Sequence, residues 1–209
     1  MDDGIRPKEA ILFKVSVKGV AIDHGRYLLR VNERGEYELL GGKLEHEDAS
    51  LACRVHQEFL EESGVVVEPR EALEPWFYVF GDRAVLIVPM ACDVVSVPDK
   101  LFDQDGGRLE WVGDKRLDDI RLPGSYLASI RRERPSLMRY AGNPGPLYPD
   151  DLFRVELVVR HPGSEECHAV EEACDLAELL GSLGWPDAQF HTVDYSDGSG
   201  LQVVFRTNA

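Results

Sequence analysis

Several features that would assign a class at once are scarce or missing here, and each shortage excludes something. The 209 residues include four cysteines, Cys53, Cys92, Cys167 and Cys174. None forms a Cys-x-x-Cys pair, which argues against a disulfide scaffold, a zinc ribbon and a thioredoxin-like site; they read as buried or half-buried thiols. No apolar run approaches the roughly 20 residues that span a bilayer. The first ten residues are charged and lack an apolar stretch, which reads as no secretory signal. The expected location is therefore cytoplasmic, with no membrane partner. Basic residues are also short: 23 Lys and Arg stand against 38 Asp and Glu, a formal net charge of −15. The deficit is uneven, with 20 basic and 26 acidic residues up to Tyr140 but 3 and 12 beyond it. Such a chain repels a phosphate backbone, so no non-specific nucleic-acid binding is expected. Small anionic ligands remain accessible if cations bridge them.

What is present is a folded chain, with 44% hydrophobic and 29% charged residues. The length suits one domain with an attachment, or two small ones. Residues 11–22, 27–31 and 37–40 read as a strand meander ending at Gly41-Gly42. Residues 50–63 read as a helix that Asp48 or Ser50 can cap and Gly64 ends. Strands follow from residue 65, at 76–80 and 84–92 with a turn at 81–83, and at 109–112 after a polar loop. Residues 124–134 read as a helix stopped by Pro135. Residues 141–149 hold three prolines and two glycines and read as a linker. Beyond it come a strand at 152–160, a helix at 169–183, and a hairpin of 190–195 with 200–206. This sets an N-terminal domain at residues 1–140 and an acidic β-α-β-β unit at 141–209, expected to be separable.

The chemistry concentrates on the first helix. Glu58, Glu61 and Glu62 are spaced i, i+3, i+4, so at about 100° per residue they share an arc of roughly 100°. Ala52, Val55 and Phe59 form the adjoining apolar arc. Three carboxylates so placed repel one another. A hard divalent cation with oxygen ligands, Mg²⁺ or Mn²⁺, relieves the repulsion. A solvated acidic helix face would have the same spacing. The context separates the two readings: a Gly-Gly turn leads from a strand into this helix, and a glycine closes it. Such a turn leaves a backbone carbonyl available as a further ligand.

This strand–loop–helix–loop resembles the signature of the Nudix hydrolases, which cleave nucleoside diphosphates linked to another moiety. The family pattern runs Gly, five residues, Glu, seven residues, Arg-Glu, apolar, any, Glu-Glu, any, Gly, apolar. Glu58, Phe59, Glu61, Glu62, Gly64 and Val65 match from the C-terminal side, and Gly42 from the N-terminal side. The span from Gly42 to Gly64 is one residue longer than the family spacing. The first family Glu falls on Asp48 counting forward or Ala49 counting back, and Gln57 stands where the family has Arg. In the family that Arg and Glu brace the loop on the helix. Here the pair looks lost, and Arg54 offers a local charge four residues before Glu58.

The resemblance covers about two-thirds of the chain. It implies an α+β fold, a Nudix-type α/β/α sandwich with a mixed sheet, to which the C-terminal β-α-β-β unit is added. It implies metal-dependent hydrolysis of a diphosphate linkage, with metal held by Glu58, Glu61, Glu62 and the Gly41 carbonyl. The partner would be a small nucleotide-like diphosphate. A base would come from these glutamates or from the loop after residue 99, where Asp105 and Glu110 are the candidates. The alternative is a non-catalytic module of the same fold that senses a nucleotide. The C-terminal unit reads as a surface for homodimerisation or as a closure over the pocket. Trp76, Phe77 and Tyr78 on one strand read as core, or as a stacking platform for a base. Arg26, Arg30 and Arg34 read as solvated strand ends or phosphate contacts, and Arg131, Arg132, Arg134 and Arg139 as complements to a helix C-terminus. His46 could face a ligand, while His56 reads as exposed.

Overall fold

Alternation sets the spine of the molecule. The computed structural model describes residues 12–81, 83–104, 106–140, 152–196 and 200–207. In β1 (Leu12–Asp23), Phe13, Val15 and Val17 are buried while Lys14, Ser16 and Lys18 between them are half-buried, the two-residue period of a strand. β1 runs parallel to β6 (Arg83–Ser96), in register from Lys14↔Val85 to Ile22↔Asp93. A parallel pair needs a long crossover. It is supplied by β2 (Arg26–Val31), β3 (Tyr37–Leu39), α1 (Leu51–Ser63), β4 (Val66–Ala72) and β5 (Trp76–Phe80). β2 pairs with β3 and with β7 (Arg108–Gly113), while β4 and β5 both run antiparallel to β6. A 3₁₀ turn (Asp114–Arg116), α2 (Gly124–Arg131) and β8 (Met138–Tyr140) follow, with β8 parallel to β5. The expected α+β class with a mixed sheet is what the chain forms.

The two sheet faces carry different apolar clusters. One joins β1 residues Phe13, Val15 and Val17 to Leu51, Val55 and Phe59 of α1. The other joins Leu29, Leu39, Trp76 and Val112 to Tyr126 and Ile130 of α2. Trp76 is fully buried in this second cluster, edge-on to Tyr126, so it is core and not a stacking platform. Of the cysteines, Cys92 is buried and its thiol is pushed up to about 12 by that burial, but Cys53 and Cys167 are exposed, contrary to expectation.

The C-terminal portion departs most from its sequence reading. It comprises β9 (Leu152–His161), β10 (Ser164–Ala169), α3 (Leu176–Ser182), β11 (Gln189–Ser196) and β12 (Gly200–Arg206). β10 is not expected, because Ser-Glu-Glu-Cys-His-Ala shows no apolar alternation; among the described residues it pairs with β9 alone. The helix starts seven residues later than expected, where the Asp175 side chain accepts from the N–H groups of Ala177 and Glu178. The expected linker at 141–149 lies outside the described residues. Residues 152–154 of β9 pair antiparallel with residues 12–14 of β1, so the C-terminal strands extend the N-terminal sheet. The α1-side cluster continues without a break through Phe153, Val155, Leu157, Leu176, Leu180 and Val203. Arg134, read as a helix complement, ties the parts together as well. Its Nε lies 2.8 Å from Glu74, and its Nη2 donates to the Ala188 carbonyl at 2.8 Å.

Close approach of α1 to β1 depends on Gly19. A Cβ there would strike the Phe59 ring and sit 3.2 Å from Val55 Cγ1. Phe59 is fully buried and cannot swing aside. Gly19→Ala is expected to cost about 1–3 kcal/mol, read as a lower denaturation midpoint at unchanged slope. A midpoint equal to that of the parent chain would contradict this packing.

Candidate functional site

The site is built where α1 meets the chain segment that precedes it. α1 is framed by local chemistry: the Ser50 hydroxyl accepts from the Cys53 N–H at 3.1 Å, and Gly64 caps the C-terminus with φ 71. The turn of the helix that buries Val55 and Phe59 brings Glu58 under cover as well. Residues 40–44 run beside β1 as a short irregular strand. Gly19 N–H donates to Leu40 O and Val17 N–H to Gly42 O, each at 2.9 Å, and Leu44 N–H donates to Val15 O at 3.0 Å.

These two constraints set Gly41 and Gly42 directly against the glutamates. The Gly41 N–H donates to Glu62 Oε2 at 3.0 Å. Gly41 has φ 128, and a Cβ on it would run into the Val17 backbone. The Glu58 carboxylate lies over Gly42 in the space a Cβ would fill. Lys18 Nζ donates to the Gly41 carbonyl, the group expected from the sequence as a metal ligand.

Arg54 supplies a brace that looked lost in the sequence. Its Nη2 pairs with Glu58 Oε1, and its Nε lies 3.9 Å from Asp48 Oδ2. The three side chains are only 14%, 9% and 11% exposed, so this is not an ordinary surface pair. Asp48 in turn accepts from the Glu45 N–H at 2.8 Å, which closes the turn at residues 45–48. Loop, helix and buried carboxylate are thus linked through one guanidinium. Burial raises the proton affinity of Glu58 and Arg54 opposes the rise, while Glu62 adds to it; Lys18 and Glu61 act more weakly in opposite senses.

The other expected residues divide. Glu61 is exposed and accepts from Gln57 Nε2 at 2.8 Å. Asp105 lies outside the described residues. Glu110 is not brought to the helix carboxylates. It pairs across from Leu29, whose side chain belongs to the α2-side cluster, and it accepts from Tyr37 and Arg116 at 2.9 and 2.6 Å. The two-residue period therefore turns Glu110 away from α1.

Two acids not selected from sequence take positions on the α1 side. Arg30, one residue along β2 from Leu29, holds Asp103 at 2.7 Å and Glu38 at 3.5 Å. Burial lowers the proton affinity of Arg30, but Asp103, Glu38 and Glu62 together raise it above the ordinary value. Glu38 was legible in principle, because it pairs across from Arg30 in register. Asp103 was not, since its place depends on how the loop before β7 folds back. Beside this group opens a cavity of about 660 Å³ lined by Arg30, Asn32, Arg34, Glu38, Gly107 and Arg108. Arg26 does not line it. The His46 ring stacks on Phe153 at 4.4 Å, and His56 Nδ1 lies 2.7 Å from the Val67 carbonyl oxygen.

Among the described residues, no three His, Cys, Asp or Glu side chains converge as a metal-holding set. The donor chemistry nevertheless suits a hard cation. Glu58 and Glu62 present carboxylates to consecutive glycines and Glu61 adjoins them; burial first, and then Glu62 and Glu61, raise the proton affinity of Glu58 against the opposing Arg54 and Lys18.

No family model and no curated protein matches the sequence. Solved structures do resemble the fold. A Nudix hydrolase from Nitrosomonas europaea is 20% identical, over 57% of this chain and 87% of that one, with a TM-score of 0.50. The E. coli ORF135 protein is 20% identical over 61% and 92%, with a TM-score of 0.49. A mutator MutT protein from Bacillus halodurans is 18% identical over 74% and 97%, with a TM-score of 0.48. The first of these likenesses shows that the chain has the Nudix fold.

Arg54→Ala tests the brace. Removing one partner of a buried pair leaves a desolvated charge, at a cost of about 3 kcal/mol. The loss depends on pH. Glu58 in the folded state holds its proton above the ordinary 4.5, so its contribution to stability falls as pH rises past that value. Without Arg54 the fall is steeper. The variant is expected to approach the parent stability at acid pH and to show its full deficit at neutral pH, in melting curves collected across that range. A deficit independent of pH would mean that Arg54 acts through packing alone.

Proposed function

We propose that this chain uses its Nudix fold for divalent-metal-dependent hydrolysis of a diphosphate linkage in a nucleoside diphosphate derivative or related small molecule. The observation that carries the reading is the placement of Glu58 and Glu62 on consecutive glycines of a loop fastened to β1. Glu58, Glu61, Glu62 and the Gly41 carbonyl would hold Mg²⁺ or Mn²⁺. Such an ion neutralises phosphate oxygens and acidifies water when bound. The neighbouring cavity would take the remainder of the substrate; Arg30, Arg34 and Arg108, each already paired with an acid of the chain, line it beside Asn32 and would turn to phosphate oxygens by exchanging those partners. A carboxylate of α1, or Asp103 beside Arg30, is positioned to accept a proton from the attacking water.

A second reading has its own support. Arg54 already pairs with Glu58, Gln57 with Glu61 and Gly41 with Glu62, so each helix carboxylate has a partner within the protein. A module that binds a nucleotide without turning it over would tolerate that arrangement.

Glu62→Gln discriminates. Glutamine keeps the helix propensity and can still accept from the Gly41 N–H, but it removes the charge. Screened against nucleoside diphosphate derivatives with Mg²⁺ and Mn²⁺, the parent chain is expected to release product and the variant to lose most of that turnover. The parent should also melt at a higher temperature in millimolar Mg²⁺ at fixed ionic strength, and the variant should shift less. Ligand binding without turnover in the parent would select the second reading. Turnover unchanged by Glu62→Gln would remove α1 from the chemistry.

A further inference from the structure

We infer that the C-terminal strands are a positioning element of the candidate site, acting through His46; the inference rests on the proposed function for its consequence but not for its geometry. The edge of β1 is shared between two segments. β9 pairs with residues 12–14, and the Gly-Gly loop bonds to the residues that follow, through Val15, Val17 and Gly19. The loop therefore emerges beside β9. Its tip lands on the C-terminal unit: the His46 ring stacks on Phe153 at 4.4 Å and 29°, and Tyr195 Oη donates to the His46 carbonyl at 3.5 Å. Phe153 is itself fully buried and has Tyr195 edge-on at 6.1 Å, so the surface under His46 is rigid.

The loop is thus held at three places by different parts of the chain. β1 bonds to residues 40–44, Arg54 lies within ion-pair distance of Asp48, and the C-terminal unit packs on His46 between them. His46 is exposed and is not among the groups that act on the Glu58 carboxylate. It is a positioning residue. Its stacking restrains the turn whose two ends place Gly41 on Glu62 and Asp48 on Arg54. The acidic C-terminal unit accordingly has a role in site geometry that neither dimerisation nor closure over the pocket requires.

The test uses the full chain. His46→Ala removes the stack from an exposed position, so folding is not at stake, and His46→Phe restores an aromatic ring without the imidazole. Two readouts are taken: amide exchange at Gly41, Leu44 and Asp48, and the Mg²⁺ concentration that gives half of the melting shift. His46→Ala is expected to speed exchange at these amides and raise the Mg²⁺ midpoint, each about threefold to tenfold, the worth of one aromatic pair. The metal-free melting temperature should fall by no more than that one pair is worth, and exchange in β12 should quicken by no more than the same factor. His46→Phe should return both readouts to the parent values. Exchange unchanged in His46→Ala, or a His46→Phe chain that behaves like His46→Ala, overturns the inference. A parent chain whose melting ignores Mg²⁺ removes the proposed function instead, and the exchange rates alone then decide whether the C-terminal unit restrains the loop.

Discussion

A carboxylate buried against a glycine is the constraint on which the site depends. Glu58 faces the core side of α1, and its carboxylate lies over Gly42 in the space a Cβ would fill. Burying a charge is costly unless it is paired. The structure offsets the cost with Arg54, one turn earlier on the same helix, and Arg54 also reaches Asp48 in the loop. One electrostatic requirement therefore joins three things that sequence distance keeps apart: the helix, the loop tip and the Gly-Gly turn. The backbone bonds between residues 40–44 and β1 set the same loop from its other side. Neither set of contacts would place the loop without the other, because backbone pairing fixes its height on the sheet and the guanidinium fixes its approach to the helix.

The sheet carries this local arrangement into the whole chain. β1 is the common member: it holds β6 along one edge, and along the other it holds in turn β9, the loop and β2. Because β9 joins at residues 12–14, the apolar face under α1 runs on beneath α3 without a gap. The C-terminal strands are thus continuous with the core that supports Glu58, and the stack of His46 on Phe153 brings them to the loop itself.

Glu58, Glu61, Glu62 and the two glycines were legible because they obey local rules. Helical spacing puts three carboxylates on one edge whatever the rest of the chain does, and glycine marks backbone that no other residue tolerates. Glu110 shows the limit of that approach. Its acidity and its place in sequence pointed to the site, but pairing with Leu29 turned it to the face that packs under α2. Asp103, two residues before Asp105, is the acid that the loop presents to Arg30. Which acid of a polar loop turns inward depends on the loop path, and that path leaves no periodic mark. β10 was missed for a related reason: with one partner strand and mostly polar residues, it carries no alternation to read.

The sequence by itself determined the strands and helices around residues 12–131 and the carboxylate edge of α1, because periods of two and 3.6 residues and glycine backbone freedom act over a few residues. The tertiary structure alone decided that Arg54 reaches Asp48 as well as Glu58, that Asp103 sits beside Arg30 while Glu110 turns to the α2 side, and that β9 closes onto β1. Each of these joins residues through burial or strand pairing. The free energy of a buried ion pair or a shared sheet edge is fixed by what surrounds it after folding, and neighbours in sequence do not reveal those surroundings.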